Sequence, residues 1–172
     1  MNLLTLLRLV KAGLLGQVAF FALLVGYDNL VDYQANYAFV QHVLSMDSLP
    51  ADMPLLSRAI HDPLLYRLGY ALIIAGELLA GLLCGIGSLR LLAACRAPAA
   101  TFRAAKTFGL LGLFCGFSLW FFGFMVLGAE WFQMWQSATW NGQEAAFRFI
   151  GSIGLIMIFV AMDDRELPTA RR

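Results

Sequence analysis

Four predominantly apolar runs, at 7–26, 68–92, 108–129 and 147–162, each bounded by charged residues, constrain this chain more than any other feature. A helix needs about 20 such residues to cross the hydrocarbon core of a bilayer. In that solvent only helices and closed barrels satisfy every backbone polar group. The runs therefore predict an all-α, polytopic integral membrane protein, a four-transmembrane-helix bundle forming one membrane domain over 1–172. All five prolines, Pro50, Pro54, Pro63, Pro98 and Pro168, fall outside the runs, as uninterrupted helices require. The first run follows basic residues as a secretory signal would, but no small-x-small cleavage pattern follows it, and it is read as a retained span. With 60% hydrophobic and 13% charged residues, the composition agrees with lipid as the solvent.

A net charge of +1 offers no concentrated basic surface for nucleic acid. The distribution of charge is more telling. Arg8, Lys11, Arg90, Arg96, Arg103, Lys106, Arg165, Arg171 and Arg172 flank the N-terminus, the 93–107 connection and the C-terminus, whereas the other connections hold Arg58, Arg67 and Arg148. Lys and Arg are retained on the cytoplasmic side, so both termini and the 93–107 loop are expected in the cytoplasm of a bacterial cell, beneath its inner membrane. The 27–66 loop, with Asp28, Asp32, Asp47, Asp52 and Asp62, and the 130–146 loop, with Glu130 and Glu144, are expected outside. Trp131, Trp135 and Trp140 then fall where indole rings anchor at a membrane interface, with an aromatic binding cage as the competing reading. Gly13-Leu-Leu-Gly16 recurs as Gly109-Leu-Leu-Gly112, each shortly after a lysine; a Leu- and Gly-rich composition accounts for this as well as duplication does.

Glu77 lies near the middle of the second run, where a charge costs a few kcal/mol, on the order of 2.5–3.5 by insertion scales. At 100° per residue Tyr66, Tyr70, Glu77, Gly81, Cys84 and Ser88 form one stripe, and Leu68, Leu72, Leu79, Leu82, Leu83 and Ile86 the opposite one. The first stripe should pack inward and the second should meet lipid. Gly81-x-x-x-Gly85 and Gly112-x-x-x-Gly116 are expected at close helix contacts. Gln17, near mid-depth on the preceding span, is the expected partner of Glu77, which serves either as a structural carboxyl hydrogen-bonded to Gln17 or a tyrosine, or as a proton or cation site or a contact to a polar group on a partner subunit.

Between the first two spans, "NYAFVQHVLSMD" at 36–47 belongs to an amphipathic helix over 33–47. Its polar arc holds Gln34, Gln41, His42 and Ser45, and its broad apolar arc is expected to lie on the outer membrane surface. Asn36 points into the apolar arc and needs a partner. The segment resembles the hallmark NYxFVxHVLSMD of a family of bacterial predicted small integral membrane proteins, a domain of unknown function. The resemblance implies a four-helix inner-membrane protein and carries no activity over to Asn36, His42 or Asp47.

His42 and Met46, four residues apart, with Asp47 and His61 in the same loop, are weak candidates for a metal or haem site. No cofactor is expected. Cys84, Cys95 and Cys115 lack metal-type spacing and do not suggest a disulfide framework. No nucleophile elbow, phosphate loop or spaced carboxylate pair points to catalysis. The sequence is thus read as a non-catalytic accessory or assembly subunit. Its expected partners are the bilayer and a larger membrane complex or a second copy, met through Asn36, Tyr37, His42, Asp47, Trp131 and Trp135. The competitor is a small transporter or ion-conducting protein using Glu77.

Overall fold

A computed structural model describes residues 2–166; Arg171, Arg172 and Pro168 lie outside the described residues. Four helices among them are long and apolar enough to cross a membrane: Leu3–Val31, Pro63–Ala94, Ala99–Trp131 and Gln143–Ala161. Among the described residues there is no strand. The protein is all-α and polytopic.

Helix α1 (Leu3–Val31) starts where the Asn2 side chain accepts the backbone N–H of Thr5 at 2.8 Å. At 1.5 Å per residue it runs about 43 Å, which exceeds the roughly 30 Å hydrocarbon thickness. It therefore extends past both ends of the 7–26 run, as α3 (Pro63–Ala94) does past 68–92. Charge bounds the apolar run, but it does not stop a helix. Helix α3 begins at Asp62, whose carboxylate accepts the Leu64 N–H, with Pro63 at the first helical position.

A non-helical Asp32 separates α1 from α2 (Tyr33–Ser45), which ends on Met46 in the left-handed conformation, φ 52°. The amphipathic helix exists, but its apolar side packs on the bundle and not on lipid. Val40 and Val43 are buried, and Val40 and Leu44 close over Gly69 of α3. Its lipid-facing expectation failed because the apolar surface of α3 near Gly69, Tyr70 and Ile74 offers the same burial within the chain.

The 93–107 connection is largely helical: α4 (Ala99–Ala105) leads through Lys106 into α5 (Thr107–Ser118), which continues as a π-helix over Leu119–Trp131. Helix α6 (Gln143–Ala161) is the shortest span.

Small residues set how α1 and α3 meet. Gly16 faces Ser88, Gly81 faces Leu23, Gly85 faces Ala19 and Gly26 faces Leu78, so the two helices run antiparallel in one fixed register. Ser88 locks it by donating to the Ala12 carbonyl at 2.8 Å. On the other side of α3, Gly112 comes against the backbone of Ala80 and Cys84, and Gly87 against the backbone of Gly109. The stripe of Tyr66, Tyr70, Glu77, Gly81, Cys84 and Ser88 is buried, and Leu68, Leu72, Leu79, Leu82 and Ile86 face outward. Arg8 donates to the carbonyl of Arg165 at 3.0 Å, which places both ends of the described chain at one end of the bundle, the terminal end. Helix α2 and the tryptophan loop occupy the opposite, loop end.

Candidate functional site

The antiparallel register decides who meets Glu77. It places Glu77 level with Tyr27, ten residues along α1 from Gln17, or about 15 Å at 1.5 Å per residue. Gln17 is exposed and does not pair with Glu77. Asn29 does: its Nδ2 donates to Glu77 Oε2 at 2.8 Å, and both side chains are buried. The Asn29 Oδ1 in turn accepts from Asn36 Nδ2 at 2.6 Å, and its backbone carbonyl accepts from the Tyr70 hydroxyl at 3.0 Å. With the helix interrupted at Asp32, Asn36 in the first turns of α2 reaches Asn29, and the amide that needed a partner has one. A relay Asn36–Asn29–Glu77 thus leads from the exposed Asn36 to a carboxyl that is 3% exposed.

The relay borders a cavity of about 250 Å³ lined by residues of α1, α2, α3, the π-helix and α6. Asn29, Asn36, Tyr70 and Glu77 supply its polar groups, and Phe39, Trp120, Phe124 and Phe149 supply aromatic walls. The π-helix contributes two of these rings, and π segments frequently occur at functional sites. Among the described residues no Lys, Arg or His lines the cavity. A neighbouring cavity of about 240 Å³, between α2, α3 and the π-helix, is apolar and shares Phe39, Val40, Ile73 and Phe124 with it.

The other sequence candidates are placed elsewhere. Tyr37 is half-buried and stacks on Tyr33, ring centroids 5.6 Å apart; Tyr33 meets Tyr70 edge-on at 4.7 Å, so these tyrosines wall the relay. His42 lies parallel to Trp140 at 4.4 Å, and its Nδ1 reaches the Asp47 carboxylate at 2.9 Å. Met46 is buried in a cluster with Val43, Ala129, Phe132 and Met134. His61 is exposed. Among the described residues no three His, Cys, Asp or Glu side chains are grouped for a metal. Trp131 and Trp135 are half exposed, with the Arg58 guanidinium 4.6 Å over the Trp131 ring, and Trp140 turns inward to His42; the three indoles do not form one cage.

A second polar centre, at the terminal end, was not foreseen as a unit. Lys11 donates to Asp164 Oδ1 at 3.0 Å, and Lys106 pairs with Oδ2 of the same carboxylate. Both lysines also donate to the Met162 carbonyl, at 2.8 and 2.6 Å. Arg8, 1% exposed, donates to the carbonyls of Cys95, Ala97 and Arg165, and Glu166 accepts the Ala99 N–H. Burial alone would push the Asp164 carboxyl up, but hydrogen bonds from Lys106 and Lys11 outweigh it and hold the group below the usual carboxylate range. The sequence signal was present in the lysine that precedes each Gly-Leu-Leu-Gly and in the Asp163-Asp164 pair. This centre ties helix ends together and closes on itself.

A family model described as "Predicted small integral membrane protein (DUF2165)" matches residues 7–163. No curated protein and no solved structure matches the chain.

Proposed function

The chain belongs to this family of predicted small integral membrane proteins, and we propose that it is a non-catalytic membrane protein that binds a small ligand in the cavity beside Glu77. The observation that carries the reading is the Asn36–Asn29–Glu77 relay on the wall of that cavity. A buried carboxyl in an otherwise aromatic and aliphatic enclosure is costly unless it fixes a fold or meets a ligand. The register of α1 on α3 already rests on small residues and on Ser88, so the fold does not depend on Glu77 for it.

The protein is placed in a bacterial inner membrane with both termini cytoplasmic. The supports are the basic residues at the terminal end: Arg90, Arg96, Arg103 and Arg165 remain exposed there even after Arg8, Lys11 and Lys106 are withdrawn into the buried centre. The cavity then faces outward. Transport through the bundle is a weaker reading, because Gly87 against Gly109 and Gly112 against Cys84 close the helices on the terminal side of Glu77.

Cysteine accessibility tests this reading. Val25 lines the cavity and Leu24 is exposed on the outside of the same helix. In a background without Cys84, Cys95 and Cys115, Val25→Cys in intact spheroplasts is expected to react with a small, charged, membrane-impermeant thiol reagent, whereas Leu24→Cys in lipid is not. Failure of Val25→Cys to react from either face of the membrane would remove the cavity as a site, and reaction only in inverted vesicles would reverse the orientation.

The accessory-subunit reading is favoured by one feature, the half-exposed Trp131 and Trp135 at the loop end, since aromatic residues are enriched in interface cores. Helix α2 supports it less, because its apolar side is covered by its own chain. Co-purification at native expression separates the readings: a large stoichiometric partner released by Trp131→Ala and Trp135→Ala would favour the accessory role.

A further inference from the structure

We propose that the ligand of the Glu77 cavity is a small organic cation, an alkylated or quaternary ammonium; this rests on the binding-site reading above and specifies its chemistry. Three observations combine. The cavity has one ionisable carboxyl, Glu77, held in place by Asn29. Among the described residues no basic side chain lines the cavity to supply a countercharge. The remaining walls include Trp120, Phe124, Phe149 and Phe39, with Trp120 and Phe149 5.2 Å apart and Phe39 and Phe124 6.0 Å apart.

Aromatic faces attract a cation through their quadrupole, and they do so most strongly where water is excluded. An inorganic cation requires a shell of oxygen ligands, about six or more for calcium, and this cavity has few oxygens. An alkylated ammonium carries its charge beneath methyl or methylene groups, so aromatic walls solvate it without hydrogen bonds and one carboxylate neutralises it. The volume of about 250 Å³ falls below the roughly 300–1,000 Å³ of drug-sized sites, which limits the occupant to a small head group. The exposed Asn36 offers its remaining amide valences at the α2 edge, where a hydroxyl on the cation would meet them.

The test uses the whole protein in nanodiscs, with choline, tetramethylammonium, sodium and the uncharged choline isostere 3,3-dimethylbutan-1-ol as probes. Choline and tetramethylammonium are expected to raise Tm saturably and to slow modification of Val25→Cys. The isostere and sodium are expected to do neither. Glu77→Gln, which keeps the size and the hydrogen-bond acceptor, is expected to weaken the ammonium effect at least about tenfold. Trp120→Leu should weaken it as well, while Trp135→Leu should leave it unchanged. Should the isostere protect as well as choline, or should only pH change Val25→Cys reactivity, the cation assignment is overturned and the cavity stands. Val25→Cys unreactive from either face overturns both.

Discussion

Asn29 and Glu77, 48 residues apart in sequence, share a 2.8 Å hydrogen bond at the level where α1 and α3 are held by Gly26 against Leu78. Their meeting is a consequence of register. Four small-residue contacts fix how far α1 slides along α3, and that choice leaves Gln17 pointing outward and brings Asn29 to the carboxyl.

A double-mutant cycle reads this pairing directly. Asn29→Ala and Glu77→Leu should each lower stability, with a coupling of about 0.6–1.7 kcal/mol, the range for hydrogen bonds between membrane helices. Gln17→Leu should be neutral or slightly stabilising, because Gln17 is exposed on the outside of α1. Thermal unfolding in one fixed detergent is the measurement; a Gln17 effect as large as that of Asn29 would contradict the register.

The glycines make a second contrast. A Cβ on Gly87 would come within 2.4 Å of the Gly109 backbone, which has no flexible end to move aside. Gly87→Ala should therefore destabilise by about 1–3 kcal/mol or more. Gly13 has nothing within 4 Å of the same position, so Gly13→Ala should instead gain up to about 1 kcal/mol from helix propensity. Tm shifts of opposite sign are the expected outcome.

How much of this could be read in advance depends on the range of the interaction. The buried stripe of α3 was legible because a 3.6-residue period places Glu77, Gly81, Cys84 and Ser88 on one face and leucines on the other, and one helix contains the whole signal. The partner of Glu77 was not legible, since it depends on contacts between residues 52 to 72 apart that no period records. Arg8, Lys11 and Lys106 were legible as orienting charges but their burial was not, because the charge rule concerns which side of the membrane a residue occupies, and burial is a separate matter. The same holds for α2: its amphipathicity was visible, but whether lipid or α3 covers the apolar side depends on the rest of the fold.

Arg8 tests whether those flanks matter as structure. Its guanidinium reaches three backbone carbonyls, at 3.3, 2.6 and 3.0 Å, in directions that a single ammonium does not span. Arg8→Lys keeps the charge that orients the protein and loses this geometry. The expected result is unchanged topology by reporter fusion together with lower stability, by about 1–3 kcal/mol per charged hydrogen bond lost. Equal stability of Arg8→Lys and the parent would show that charge alone was needed.

Asp164 gives the fold a defined acid limit. Its folded-state pKa is depressed below the unfolded value of about 3.9, because Lys11 and Lys106 hold the carboxylate ionised against the cost of burial. A depressed carboxylate contributes its stability above the unfolded pKa and loses it as pH falls toward and through the folded value. Asp164→Asn should therefore be less stable than the parent at pH 7, by about 3–5 kcal/mol for a buried pair broken on one side. The deficit should shrink steadily below about pH 4, since acid discharges the parent's carboxylate and cannot discharge an asparagine. Unfolding midpoints of both proteins across acid pH measure this, and a deficit independent of pH would mean that Asp164 acts through shape and not through charge. Replacing Lys11 and Lys106 together with methionine leaves burial alone acting on Asp164, which pushes its carboxyl up, so the acid dependence should reverse and stability should rise as pH falls.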